Sequence, residues 1–455
     1  MRLYWPAFRE PKKPRSMQRV DALIRPRWTV RVEPQVHVEE RLAVAVDDGR
    51  IVAVLPVDEA DRTFVAGARH DRPQHVLLPG LVNAHTHAAQ SLLRGLASDL
   101  PSERALERVG RAEARWLGTE FVADGARLAI AEMLLGGITC FADMYPHADV
   151  VAEVASESGV RAVLGLVVRD VAADSSRDGN TDLHKGLELR DRLKGDPRIR
   201  STFAPWSANH ASDATLARIR QLADELDAPV HTQLHETDAE IAASVARFGL
   251  RPLERLRRHG LVTPSLIAAH ANRLEPSEIA ALATAGASVV HCARANLKLA
   301  NGACPVADLL RAGVNVALGT AGAASSDRVD LWAEMQTAAL LAKHVAADAA
   351  VVPAAAALAM ATINGARALG LDGEIGSLVA GKAADLICVD LGHLELQPVL
   401  DPLTRLVYAA SSRDVTDVWV AGEHVVTSSA LLRLDGEAIA AAAAGWGRRL
   451  GAGDG

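Results

Sequence analysis

Eight short apolar runs, each followed by a longer amphipathic stretch, leave this chain few folds to choose from between Leu77 and Gly319. The runs cover 77–84, 138–144, 160–168, 201–205, 229–234, 266–270, 288–292 and 315–319, and most read as strands buried on both faces. Between them, segments such as 120–135, 213–226, 276–285 and 306–312 carry apolar residues at helical spacing. Strand then helix, repeated eight times, is the signature of a (β/α)8 TIM-type barrel, an α/β fold whose chemistry sits at the C-terminal ends of the strands. A doubly wound open sheet shares the alternation but needs a Gly-rich phosphate turn after its first strand, and none follows 77–84.

The flanks of the barrel read differently. Runs at 28–32, 42–46 and 51–55 are short and β-like, with Asp47-Asp48-Gly49 as a hairpin turn between the last two. After an Ala-rich helical stretch at 329–369, β-type runs return at 385–389 and 415–420. We expect these two flanks to build one small β-sandwich domain. The organisation is then an extension at 1–19, the first part of the sandwich at 20–76, the barrel at 77–369, the second part at 370–434, and a closing helix and tail at 435–455.

Composition excludes several partner classes. A formal net charge of −7 offers no basic stripe for nucleic acid. No apolar run reaches the roughly 18 to 20 residues of a membrane span. Cys140, Cys292, Cys304 and Cys388 are widely spaced, which suits a reducing, cytoplasmic setting rather than a disulfide framework. Residues 1–19 mix Pro, Arg and Lys without the apolar stretch of a secretory signal.

A barrel turns the list of strand ends into an inventory of site candidates. The first strand ends in Pro-Gly-Leu-Val-Asn-Ala-His-Thr-His, where His85 and His87 lie two apart and share a face, half of a metal site. The fourth strand ends at Trp206, and the fifth presents Gln233, His235 and Glu236. His270, His291 and Ala321 follow at the ends of the sixth, seventh and eighth. Histidines at this many strand ends, all at the functional face, point to a site.

The motifs PGLVNAHTH, SLLRGLASDLP, AEARW, GGITCFADMY, HTQLHETDAEI, VVHCARANLKLANG, CPVADLLRAGVNVALGTAGAAS, MATINGARALGL and GSLVAGKAADLICVD resemble the amidohydrolase superfamily. Within it the chain is similar to the methylthioadenosine and S-adenosylhomocysteine deaminase branch that borders the triazine hydrolases. The resemblance spans about 20–427. It implies a metal held by the two first-strand histidines, a histidine three residues before the fifth-strand glutamate, and an eighth-strand aspartate. It also implies that the glutamate shuttles protons and that the sixth-strand histidine assists at the metal-bound water. His85, His87, Glu236 and His270 stand at matching positions, and Glu113 matches the partner of the ribose hydroxyls.

Elsewhere the chain departs from the pattern. Gln233 stands where the third ligand would be, and Ala321 where the aspartate would be. Trp206-Ser207-Ala208-Asn209 replaces a histidine-bearing segment, and the purine-facing stretch is rewritten as SERALERVGR. A catalytic zinc normally takes three protein ligands. The expected cofactor is therefore none, or weakly bound zinc, with His85, His87 and His270 as the ligands of any ion. The alternative is that Gln233 joins those histidines and a metal is held after all.

The expected protein is an amidohydrolase-like enzyme for a small, nitrogen-rich heterocyclic or nucleoside-like substrate. Glu236, His270 and His291 are its candidate acid/base residues, and Glu113, Trp206, Asn209, Gln233 and Arg169 its candidate substrate contacts. Trp206 offers a flat apolar wall, and Arg169 and Arg94 could meet an anionic group. The reaction is either C–N hydrolysis or a repurposed metal-independent step, diverged from ordinary metal-dependent deaminases. A catalytically silent homologue that binds or assembles is the alternative. By analogy with the resemblance, the chain is expected to be a homodimer with a small-molecule substrate and neither nucleic-acid nor membrane partners.

Overall fold

A computed structural model describes residues 17–170 and 179–452. The expected extension lies almost wholly outside the described residues, and a strand is already under way at Gln18.

The eight barrel strands are Leu81–Thr86, Ile138–Asp143, Arg161–Val168, Ile199–Pro205, Val230–Leu234, Leu266–His270, Ser288–His291 and Asn315–Leu318. They pair in chain order, all parallel. Almost every residue on them is buried, as strands sealed by barrel interior on one face and helices on the other must be. A parallel bridge from Thr86 to Ala321, with the Ala321 N–H donating to His85 O at 3.0 Å, brings the end of the last strand against the first. The barrel mouth is thereby gathered around His85.

Both chain ends supply the second body, a nine-stranded mixed sheet. Two long strands, Gln18–Arg31 and Phe64–Pro79, run parallel at its centre, and Leu386–Asp390 from the C-terminal half pairs antiparallel with the end of the second. The hairpin at Asp47-Asp48-Gly49 forms as read, with φ of 46° at Asp48 and 73° at Gly49, the left-handed pair of a tight hairpin turn. Phe64–Pro79 was not foreseen. Its sequence mixes charged and small residues, one face is largely exposed, and its partner strand is more than 40 residues away, so no local hairpin signal marks it.

The chain passes from sheet to barrel at Gly80. That N–H donates to Asp385 O at 2.9 Å, and a Cβ there would lie 2.1 Å from Thr139 Oγ1. The first barrel strand consequently starts at Leu81 rather than at 77. The closing helix, Gly436–Gly451, is capped by Asp435 and docks on the helix Thr119–Leu135, with Trp446 Nε1 donating to Asp124 Oδ2 at 2.8 Å. Among the described residues no helix is long and apolar enough to cross a membrane.

Candidate active site

His85 and His87 leave the first strand towards the barrel axis and meet imidazoles from two other strands. Ring centroids of His85 lie 4.9 Å from His87, 4.9 Å from His231 and 5.5 Å from His270. All four are buried. Burial, with neighbouring imidazoles adding to it, pushes His85 well below its ordinary pKa and brings His231 down to about 3. His87 also falls to about 3, burial outweighing the hydrogen bond to Met144 that favours its charged form. His85, His87 and His231 are therefore neutral at ordinary pH, so each of these three has one nitrogen with a bare lone pair.

Hydrogen bonds select which nitrogen that is. His87 Nδ1 lies 2.7 Å from Met144 O, and a carbonyl can only accept, so the proton is on Nδ1 and Nε2 is bare. His270 Nδ1 lies 2.9 Å from Asn296 Oδ1. Asn296 in turn donates through Nδ2 to Asn272 Oδ1 at 2.7 Å, which fixes its amide and again leaves a bare Nε2 on the histidine. His85 Nδ1 faces His231 Nε2 at 2.9 Å, while His85 Nε2 is buried with no hydrogen-bond partner among the described residues.

The turn after His87 is held from the second strand. Asp143 Oδ1 accepts the Ala88 N–H at 2.7 Å, and burial pushes this carboxyl up to about 7 against that bond. Positive φ angles at His235 (51°), His270 (73°), Ala271 (54°) and Ala321 (51°) twist the chain at the ends of strands five, six and eight. Left-handed backbone at non-glycine residues is costly and gathers at functional sites.

Glu236 follows the fifth strand and is gripped at three points. Its Oε1 accepts from Asn301 Nδ2 at 2.9 Å, its N–H donates to Glu240 Oε2 at 2.8 Å, and its carbonyl accepts from Asn272 Nδ2 at 3.1 Å. Asn272 thus joins Glu236 to the Asn296–His270 pair in one amide chain. Glu240, pushed up to about 7 by burial, caps the arrangement from below.

Gln233 Nε2 sits 3.1 Å from the bare Nε2 of His87. Trp206 stacks on His87 with centroids 5.1 Å apart and planes 19° from parallel, and the Arg169 guanidinium lies 3.5 Å from the indole centroid. His87 and the Arg169 guanidinium thus both lie against the indole. Glu113 reaches the mouth from a helix: its Oε1 accepts from Tyr145 Oη at 2.6 Å and Gln90 Nε2 at 2.9 Å. His291 is buried beside the cluster and pushed down to about 4 by burial and by His270.

Other candidates turn elsewhere. Asn209 gives its amide to Glu240 O at 2.9 Å, Arg94 pairs with Glu132, and His235 Nε2 accepts the Leu253 N–H at 3.1 Å on the outer side of the barrel. His231, Asn272, Asn296 and Asn301 escaped sequence reasoning. His231 had a usable signal, because it precedes Gln233 by two residues on a strand and must share its face. The three asparagines had none, since their roles depend on loops meeting in space.

Known proteins resemble this chain along most of its length. The model of the amidohydrolase family matches residues 76–425. A 5-methylthioadenosine/S-adenosylhomocysteine deaminase of Teredinibacter turnerae is 46% identical over 426 residues, covering 93% of this chain and 96% of the relative. An adenosine deaminase from Xanthomonas campestris, solved with bound zinc, superposes with a TM-score of 0.93 at 47% identity and covers 95% of this chain and 99% of its own. Atrazine chlorohydrolase TrzN from Arthrobacter aurescens, complexed with zinc, gives 0.87 at 27% identity, with 93% and 99% covered.

These neighbours overturn the expectation of no zinc or weakly bound zinc. That expectation treated a metal site as a set of sequence positions, whereas an ion responds to lone pairs converging in space. The residues present fit such an ion. The buried Nε2 of His85 has no partner among the described residues, the Nε2 of His87 meets only an amide, and that of His270 is bare; neutral imidazole nitrogens are the donors zinc takes. Gln233 holds an amide beside His87, and half a turn of that amide would bring its oxygen to the same place.

Proposed function

Because this chain belongs to the amidohydrolase family, we propose that it is a zinc-dependent hydrolase that removes an amino group from a nucleoside-like substrate, breaking a C–N bond with water and releasing ammonia. The observation that carries the reading is the set of Nε2 atoms on His87 and His270, with the buried, partnerless Nε2 of His85 beside them, linked through Asn296 and Asn272 to Glu236, a residue held at three points. The relatives' descriptions as nucleoside deaminases support it. The metal-free reaction considered from the sequence falls with the cofactor expectation.

His85, His87 and His270 would hold the ion, with the Gln233 amide within reach. When bound, zinc supplies a Lewis acid that makes water a nucleophile near neutral pH. The protein's own groups do the rest. Asn301 occupies Glu236 Oε1, so Oε2 is the oxygen that receives the proton from the attacking water and passes it to the departing nitrogen. Asn296 keeps His270 in one tautomer, and the Asn272 amide keeps Glu236 at a fixed distance from it. Glu113, already oriented by Tyr145 and Gln90, has acceptor capacity for sugar hydroxyls. Trp206, held by its contacts with His87 and Arg169, closes one side of the site against water.

The test is ammonia release from a panel of 6-aminopurine nucleosides, including adenosine, methylthioadenosine and S-adenosylhomocysteine, by the zinc-loaded protein. Turnover of at least one supports the proposal, and none across the panel removes it. Homodimerisation and a cytoplasmic setting belong to the same proposal. Leu394 and Leu400, 88% and 89% exposed, offer apolar side chains a second copy could cover. Sedimentation velocity returning only the monomer mass would remove the dimer.

A further inference from the structure

We infer that His231 is a positioning residue for the metal centre: by accepting the Nδ1–H of His85, it holds His85 in the one tautomer whose Nε2 can bind an ion. The inference rests on the zinc-dependent reading above.

The three ligating candidates differ in what stands behind them. Behind His87 is a carbonyl, that of Met144, and behind His270 is the oxygen of an oriented amide, Asn296. Each of those partners can only accept. Behind His85 is another imidazole, His231 Nε2 at 2.9 Å, which can accept or donate. Two pairings are therefore available. In one, His85 Nδ1–H donates to His231 Nε2 and the His85 Nε2 lone pair is bare. In the other, His231 Nε2–H donates to His85 Nδ1, the remaining His85 proton is on Nε2, and that nitrogen cannot ligate.

Only the first pairing is compatible with a metal on His85. An ion bound at Nε2 selects it, and conversely whatever stabilises it favours the ion. His231 is well placed for the task. It is wholly buried, its main chain is locked in the parallel ladder opposite Ile267, and its ring meets that of His85 edge to face at 72°. Its own Nδ1 has no hydrogen-bond partner among the described residues, so no other contact dictates where its proton lies. Nothing else in the proposed chemistry uses this side chain.

Partners behind metal-bound histidines typically contribute about 10- to 100-fold in metal affinity. The experiment is zinc affinity by competition with a chromophoric chelator, for the wild type, His231→Leu and His231→Gln, together with the melting temperature of each metal-free protein. His231→Leu keeps bulk but removes the acceptor, and should weaken zinc binding by about 10- to 100-fold with the metal-free melting temperature nearly unchanged. His231→Gln, whose amide oxygen can accept, should recover most of the loss. Zinc binding by His231→Leu equal to wild type overturns the inference alone. A wild type that takes up no zinc overturns the proposed function and this inference with it. Should His231→Leu not fold, 15N-histidine spectra of the metal-free wild type decide: a proton on His85 Nδ1 supports the inference, and one on His231 Nε2 overturns it.

Discussion

Replacing Asn301 by Ala asks whether the carboxylate at the barrel mouth works because it is held. Asn301 is 5% exposed, and its Nδ2 donates to Glu236 Oε1 at 2.9 Å. Its other anchors are its N–H to Asn296 O at 2.9 Å and the Ser102 hydroxyl at 3.3 Å from Oδ1, so the loop keeps a main-chain tether without the side chain. A hydrogen bond to a charged group contributes about 1.5–3 kcal/mol, and each 1.36 kcal/mol on a barrier is tenfold in rate, so Asn301→Ala should lower turnover by about 10- to 150-fold. KM should change far less, because the lost contact is to the proton carrier and not to the substrate. The assay is steady-state ammonia release with the best nucleoside found, alongside thermal melting. A fall in kcat of less than about threefold in a protein that melts normally would refute the reasoning, since Glu236 would then be oriented by its two main-chain contacts alone.

Further outcomes follow from the same geometry. Glu236→Gln, nearly isosteric, should lower turnover by about 10²-fold or more with little change in melting temperature; an unchanged rate would assign Glu236 a structural role. Trp206→Ala removes an indole stacked on His87 and capped by Arg169, contacts worth about 1–2 kcal/mol together, and kcat/KM should drop by about tenfold; an unchanged value would place Trp206 outside the working cavity. At Glu278 burial acts to raise the pKa, but hydrogen bonds with His235 and Arg251 outweigh it and bring the carboxyl to about 2. That lies below the unfolded value of about 4.3, so its contribution to stability is complete above that pH and is lost as pH falls towards 2. The melting-temperature gap between wild type and Glu278→Gln should therefore be widest above about pH 5 and shrink by about pH 3, and a gap that widens in acid would contradict the assignment.

Elements with local causes were legible in the sequence, and contacts between distant segments were not. The eight barrel strands stand out because each is an apolar run bounded by turn residues, and the Asp47-Asp48-Gly49 hairpin because two left-handed residues have to be supplied in order. Asp435 announces the last helix in the same way. Phe64–Pro79 does not stand out, since its half-exposed face dilutes the alternation and its pairing is long-range. Within the site, His85 and His87 carry a two-residue period that anyone can see, yet the same period at His231 and Gln233 passed unnoticed beside the better-known glutamate. The cofactor error has a physical origin too: residue types at fixed positions say little about whether lone pairs converge, and here the hydrogen bonds that His87 and His270 donate through Nδ1 to Met144 O and Asn296 Oδ1 leave their Nε2 atoms available. The strained backbone at His235, His270 and Ala321 has no sequence signature at all, as none is glycine.

The central claim is that a zinc ion held by His85, His87 and His270 drives C–N hydrolysis, and titrating chelator-treated protein with zinc while following ammonia release tests it directly. The account predicts a rate near zero without metal that rises in proportion to added zinc and levels off at one ion per chain. A rate that chelation leaves untouched, or one that zinc does not restore in protein that remains folded, would contradict it.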